Sequence, residues 1–129
     1  MKKSLHFYRD ILGLTVFQDY YDDSPFINKI TALTNANVHM VKLKAKDGTV
    51  TELLEYLNHP TELIEQQIIN VGACHICYRV KNADEAYRRL LSKNIPLISE
   101  PELSSEKIPL SYIKSSVPEV FISSQVKIT

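Results

Sequence analysis

Tryptophan is missing from these 129 residues, and cysteine occurs only twice. The first absence removes the largest stacking surface and leaves seven tyrosines and four phenylalanines to supply aromatic contact. The second leaves Cys74 and Cys77 as a lone C-x-x-C. A zinc site needs a second Cys/His pair at suitable spacing, and a redox site needs the motif at a helix start; this one lies inside a strand-like run. Strand residues three apart point to opposite faces, so the two sulfurs do not readily share a metal. Ordinary buried thiols are the expectation.

Charge of one sign is missing as well. Fifteen basic and fifteen acidic residues cancel, with no long block of either, so electrostatic capture of nucleic acid or of an anionic membrane is not indicated. No apolar run approaches the roughly 18 residues of a membrane span. Met1-Lys2-Lys3 leads into an amphipathic segment instead of a signal-peptide core. A cytoplasmic protein with a small, neutral or hydrophobic partner follows by elimination, and the length suits a single domain, 1–129.

What is present is a repeat. Leu5-His6-Phe7-Tyr8-Arg9-Asp10-Ile11-Leu12 matches Asp84-Glu85-Ala86-Tyr87-Arg88-Arg89-Leu90-Leu91 at the Tyr-Arg pair and at the following Ile/Leu pairs. In the second copy a strand-like run, Ala73 to Val80, precedes the helix; its counterpart in the first copy would fall before Met1. The chain therefore reads as two modules, 1–58 lacking its first strand and 71–129 complete.

Periodicity fills in the elements. Leu5, Tyr8, Ile11 and Leu12 make one helix face from about Lys3 to Leu12, with Gly13 placed to end it. Leu14 to Tyr21 reads as a strand, Asp22 to Pro25 as a turn, and Phe26 to Leu33 is ambiguous between strand and loop. Val38 to Lys44 and Val50 to Leu57 flank an Asp47-Gly48 hairpin. Thr61 to Ile69 is a linker. Asn82 with Glu85 three residues on starts a second helix, whose apolar stripe is Ala83, Ala86, Tyr87, Leu90 and Leu91. A short run from Ile95 to Ile98, a strand around Ile108 to Lys114 and an alternating run from Val120 to Ile128 complete the second module. The class is α+β, with helices covering one face of each curved sheet and the other faces enclosing a cavity.

Three stretches resemble the vicinal oxygen chelate superfamily, the group of glyoxalase I, methylmalonyl-CoA epimerase, extradiol dioxygenases and bleomycin-resistance proteins. They are Ser4 to Leu14, Thr51 to Tyr56, and Gly72 to Val80 with the helix from Asp84 to Lys93. The resemblance implies paired βαβββ modules around a pocket with four metal ligands, one from the first and last strand of each module. His75 matches the ligand on the first strand of module two, and Glu52 the ligand on the last strand of module one. The position on module one's first strand is not in the chain, which is also what a trimmed or misassigned start would give. The fourth should be a Glu within a D-P-x-G-x-x-x-E-L string, but in Ser115 to Gln125 no Glu occupies that position; Gln125, whose amide oxygen can coordinate, is the plausible substitute, and Ser123 or Ser124 would be weaker.

The resemblance thus implies one divalent metal, Zn, Ni, Mn or Fe, while the incomplete set leaves a metal-free protein open. Parity places His75 with Cys77 and Arg79 on one face, and Glu52 with Leu54 and Tyr56 on another. Leu54, Tyr56, Cys77, Arg79 and His39 are the candidate pocket residues. The plainer alternatives are a hydrogen-bonded His75 and a solvated Glu52 at a pocket rim. Glu55 points the other way and suits a cation from the first helix, whereas His6 and His59 suit the surface.

Three functions remain: sequestering a small amphipathic molecule without metal, metal-dependent lyase or epimerase chemistry of the glyoxalase I type, and a non-catalytic dimeric scaffold. An unpaired sheet edge favours a homodimer with strand or module exchange. In some relatives the pocket lies within one chain and in others between two.

Overall fold

The computed structural model describes residues 1–62, 69–71, 76–105, 109–113 and 120–123, the last two segments by their backbone alone. The chain divides into two units, Met1–Ile64 and Glu65–Thr129. Each is built of helix and sheet, so the class is α+β.

The first unit opens with helix α1 (Lys2–Leu5), which widens into a π-helical segment, His6–Ile11. The expected helix is therefore present, but its second half takes a wider turn, closed by Leu12 N–H on Phe7 O at 2.9 Å. Phe7 and Tyr8 are neighbours in sequence and both are buried, ring edge to ring face at 5.3 Å. A wider turn brings adjacent side chains closer together in angle, which lets one face hold both. Gly13, at φ +80°, ends the helix.

Strand β1 (Thr15–Asp22) follows one residue later than its expected limits, and Leu14 turns inward instead. Next comes helix α2 (Pro25–Thr31), where the sequence suggested strand or loop. Local chemistry explains the helix. The Ser24 hydroxyl accepts from Ile27 N–H at 3.4 Å, Pro25 supplies a preset φ in the first turn, and Asp22 Oδ1 accepts from Ser24 N–H at 2.9 Å. Ala32, at φ +56°, closes it, and Asn28 Oδ1 takes the Ala36 N–H at 2.6 Å to fold the chain back.

Strands β2 (Val38–Lys44) and β3 (Val50–Tyr56) form the expected hairpin. Asp47 Oδ1 accepts from Thr49 N–H at 2.9 Å, and Gly48 takes φ +91°. The sheet order is β1-β2-β3, antiparallel throughout, with an irregularity between Val16 and Gln18 that leaves Phe17 as an extra residue. Its cross-strand rungs are Tyr21–His39–Glu55, Tyr20–Met40–Leu54, Asp19–Val41–Leu53 and Gln18–Lys42–Glu52.

Both faces of this sheet hold core. Val41 and Leu43, fully buried, share a face with His39, on which α1 is anchored through the Met1 ammonium and Glu55. Burying each is worth about 1.5–3 kcal/mol. On the other face Val38 and Met40 are covered by Ile27 and Ala36, with Leu33 and Tyr56 packed alongside. Beyond this cover the second face carries exposed Tyr20, Leu54 and Val50, with no further cover among the described residues.

In the second unit the strands are β4 (Ile76–Arg79), β5 (Glu102–Leu103), β6 (Pro109–Ile113) and β7 (Val120–Ser123), with helix α3 (Ala83–Ser92) between β4 and β5. Sheet order is β4-β7-β6-β5, with β4 parallel to β7 and the other pairs antiparallel. Asn82 Oδ1 accepts from Glu85 N–H at 3.0 Å, the expected cap, and Ala83, Ala86 and Leu90 are buried. Leu91, expected in the stripe, is exposed. The described elements of this unit run β-α-β-β-β. In the first unit the described residues hold α-β-β-β with α2 inserted.

Candidate functional site

Alternation along β2 and β3 sorts the candidate residues into two sets. Glu52, Leu54 and Tyr56 share a face with Lys42 and Met40. His39 does not. Its rung, Tyr21–His39–Glu55, lies on the α1 side, so the expected grouping of His39 with Leu54 and Tyr56 around one pocket is corrected by strand parity.

On the His39 side a polar network crosses the sheet. His39 Nε2 donates to Asp19 Oδ1 at 2.7 Å, its Nδ1 lies 3.7 Å from Glu55 Oε2, and Tyr21 stacks on the ring at 4.4 Å. The Met1 ammonium donates to Glu55 Oε1 at 2.8 Å. That ammonium, more than His39, holds the Glu55 carboxyl below its ordinary range, against the opposing effect of burial. The expectation that Glu55 meets a cation at the first helix holds. A groove of about 450 Å³ lies here, lined by Met1, Lys2, Leu5, Arg9, His39 and Glu55.

Neighbouring charges on the helix surface pair among themselves. Arg9 Nε donates to Asp10 Oδ1 at 2.7 Å and His6 Nδ1 lies 3.1 Å from Asp10 Oδ2, which lowers the Asp10 carboxyl to about 2. His6 is thus a surface residue, and half-buried His59 lies beside Asn58.

The Glu52 side is chemically different. Lys42 Nζ lies 3.4 Å from Glu52 Oε1, directly across the strand pair, and 6.0 Å above the Tyr20 ring. Lys44 Nζ lies 5.0 Å above the Phe17 ring. Phe17 is 46% exposed, Tyr20 37% and Leu54 47%. Tyr56 is partly buried against the Ile27–Met40 cluster, so it belongs to the covered end of this face.

Glu52, expected as a metal ligand, has the Lys42 ammonium as its described ionic neighbour. Lys42, Lys44, Tyr20 and Phe17 were missed. A signal for the first was available, because Lys42 and Glu52 are equidistant from the Asp47 hairpin centre and must oppose one another.

Among the described residues no three His, Cys, Asp or Glu side chains converge as a metal site. His75 and Gln125 lie outside the described residues, as does Cys74. The described donors therefore do not make up the implied ligand set: Glu52 is its one member there, and it is exposed and paired with Lys42. In the second unit Cys77 and Arg79 are both exposed on β4. Cys77 is exposed, against the expectation of a buried thiol. No described helix is long and apolar enough to cross a membrane.

Comparison with known proteins gives the family. The model of the glyoxalase/bleomycin resistance protein/dioxygenase superfamily matches residues 1–108. Among solved structures, a glyoxalase family protein from Bacillus cereus superposes with a TM-score of 0.81 at 19% identity, covering 98% of this chain and 87% of that one. A lactoylglutathione lyase from Agrobacterium tumefaciens gives 0.57 at 19%, covering 95% and 84%. A genomically encoded fosfomycin resistance protein from Listeria monocytogenes, solved with Mn(II) and sulfate, gives 0.61 at 12%, covering 98% and 84%. A search of curated proteins returns no match. At these identities the structural likeness speaks for the fold, and the family match extends it to descent: the chain belongs to the glyoxalase/bleomycin resistance protein/dioxygenase superfamily.

Proposed function

We propose that the open sheet face of the first unit binds a small organic molecule, and that Glu52 serves there as the partner of Lys42, not as a metal ligand. The observation that carries this reading is the 3.4 Å Lys42–Glu52 pair set in a face of exposed Tyr20, Leu54 and Phe17. A carboxylate already neutralised by an ammonium gains less from a divalent cation, since the metal must displace the lysine and accept its repulsion. Exposed aromatic and aliphatic side chains with a few polar groups are the usual lining of a small-molecule site.

The test uses a neutral fluorescent probe, N-phenyl-1-naphthylamine, together with elemental analysis. Saturable fluorescence enhancement that Leu54→Asp weakens is expected, with no Glu52-dependent metal after exposure to Zn, Ni, Mn and Fe(II). Near-stoichiometric metal that is lost in both Glu52→Ala and His75→Ala overturns the metal-free reading. It would favour a metal-dependent lyase or epimerase, the class to which the Agrobacterium neighbour's name points.

Further parts of the proposal are a homodimer and a cytoplasmic location. β3 is an edge of the described three-stranded sheet. Edges of this kind favour pairing between copies. Light scattering on the purified chain checks the dimer, and a monomer at micromolar concentration removes the non-catalytic scaffold as a third reading.

A further inference from the structure

We infer that the ligand of the Glu52 face is a flat aromatic molecule carrying one negative charge, of the aryl carboxylate or aryl sulfonate kind. This deepens the proposal above and rests on it. Three features of the face select that class.

Charge comes first. Two ammonium groups, Lys42 and Lys44, face one carboxylate, Glu52, and the carboxylate is taken by Lys42 at 3.4 Å. Lys44 has no carboxylate within ion-pair distance among the described residues; its ammonium rests over the Phe17 ring instead. A π face is a weak partner for an ammonium compared with an anion. One anionic group therefore completes the local charge, a second would lack a partner, and a cationic ligand would meet repulsion.

Surface chemistry comes second. Around that charge stand Phe17, Tyr20, Leu54 and Val50, each between about a third and a half exposed. They rise from a pleated sheet, which offers a broad floor and no deep shaft. A planar ring system buries the most apolar area against such a floor per ordered bond, whereas a flexible chain loses more rotational freedom to do so.

Length comes third. One end of the face is filled by Ile27 and Ala36 over Val38 and Met40, with Leu33 and Tyr56 alongside. Same-face neighbours on a strand are about 7 Å apart, so the open stretch from Leu54 to Val50 spans about 14 Å. Two fused rings and an acid group fit that span. A polymer does not.

The experiment is equilibrium binding of 1-naphthoate and of its neutral counterpart, 1-naphthalenemethanol, to the full chain. Naphthoate should bind about tenfold tighter, as expected for one charge-assisted contact. Lys44→Gln should bring naphthoate down to the affinity of the alcohol, while Lys46→Gln on the adjacent hairpin leaves it in place. Added salt should weaken naphthoate alone. Equal affinity for the two probes, or naphthoate binding indifferent to Lys44→Gln, overturns the ligand class and leaves small-molecule binding standing. Failure of both naphthalenes and of N-phenyl-1-naphthylamine overturns the inference and the proposal together.

Discussion

His39 and Lys42 lie three residues apart on one strand, and each is opposed by a glutamate on the next: Glu55 for the first, Glu52 for the second. The strand's alternation sends the two pairs to opposite faces, where they do different work. His39 is 12% exposed in its side chain and is held by Asp19, Tyr21 and the α1 side of the fold. Lys42 and Glu52 stand on the open face among exposed rings. Direct cross-strand opposition thus gives a network tied into the structure on one side and, on the other, the charge pair that we propose meets a ligand. The two glutamates are equally exposed at 41%; what separates the pairs is the partner, His39 at 12% exposure against Lys42 at 30%, and the further contacts that Asp19, Tyr21 and the Met1 ammonium add on the first side.

The sharpest way to break that contrast is to empty the covered face. Leu43 is fully buried there, and Leu43→Ala should cost about 2–5 kcal/mol of unfolding free energy. Leu54→Ala, on the open face, should stay within about 0.5 kcal/mol while weakening probe binding. Urea denaturation of both variants checks the pair, and a large loss from Leu54→Ala would mean that the open face is closed in solution.

Removing His39 comes next in size. His39→Ala deletes the 2.7 Å contact with Asp19 and the approach to Glu55, and should cost about 1 kcal/mol. Ligand binding on the far face should not change. A variant that loses probe affinity without losing stability would show that His39 belongs to the ligand site after all.

The network also predicts an acid response. Glu55 titrates below its ordinary range in the folded chain, so its contribution is present above glutamate's usual 4.5 and is lost as the pH falls through the lowered folded value. Glu55→Gln should therefore flatten the fall in urea midpoint between pH 5 and 3, two settings that bracket that usual value. An unchanged slope would take Glu55 out of the folded-state network.

Much of this arrangement could be read from the chain before any coordinates. The β2–β3 hairpin announces itself through Asp47-Gly48, and α3 through Asn82 and Glu85, because both signals are local and chemical. The same locality explains the failure at Phe26 to Leu33. Its aromatic and branched residues read as strand or loop, while the helix depends on the Ser24 cap and on Asn28 reaching Ala36, a contact that composition does not reveal. The π-helical turn was hidden for a similar reason, since it follows from packing Phe7 beside Tyr8. At the site, Glu52 and its facing direction were legible from alternation, but its partner required the cross-strand register. His39 shares a strand with the Glu52 face, but its alternation sends it to the other side, which only the register makes plain.

The smallest effect tests the open pair directly. A double-mutant cycle on Lys42→Ala and Glu52→Ala should give a coupling of about 0.2–1 kcal/mol, the range for exposed ion pairs, and it should shrink with salt. A pair that water still reaches has gained little from desolvation, so its coupling stays small. Glu52→Ala alone should then bind 1-naphthoate more tightly, because it leaves Lys42 as a second cation on the face. A coupling well above 1 kcal/mol, insensitive to salt, would mean that water is excluded from the pair. In that case the pair would belong to the closed part of the fold, and the face around it would not be open to a ligand.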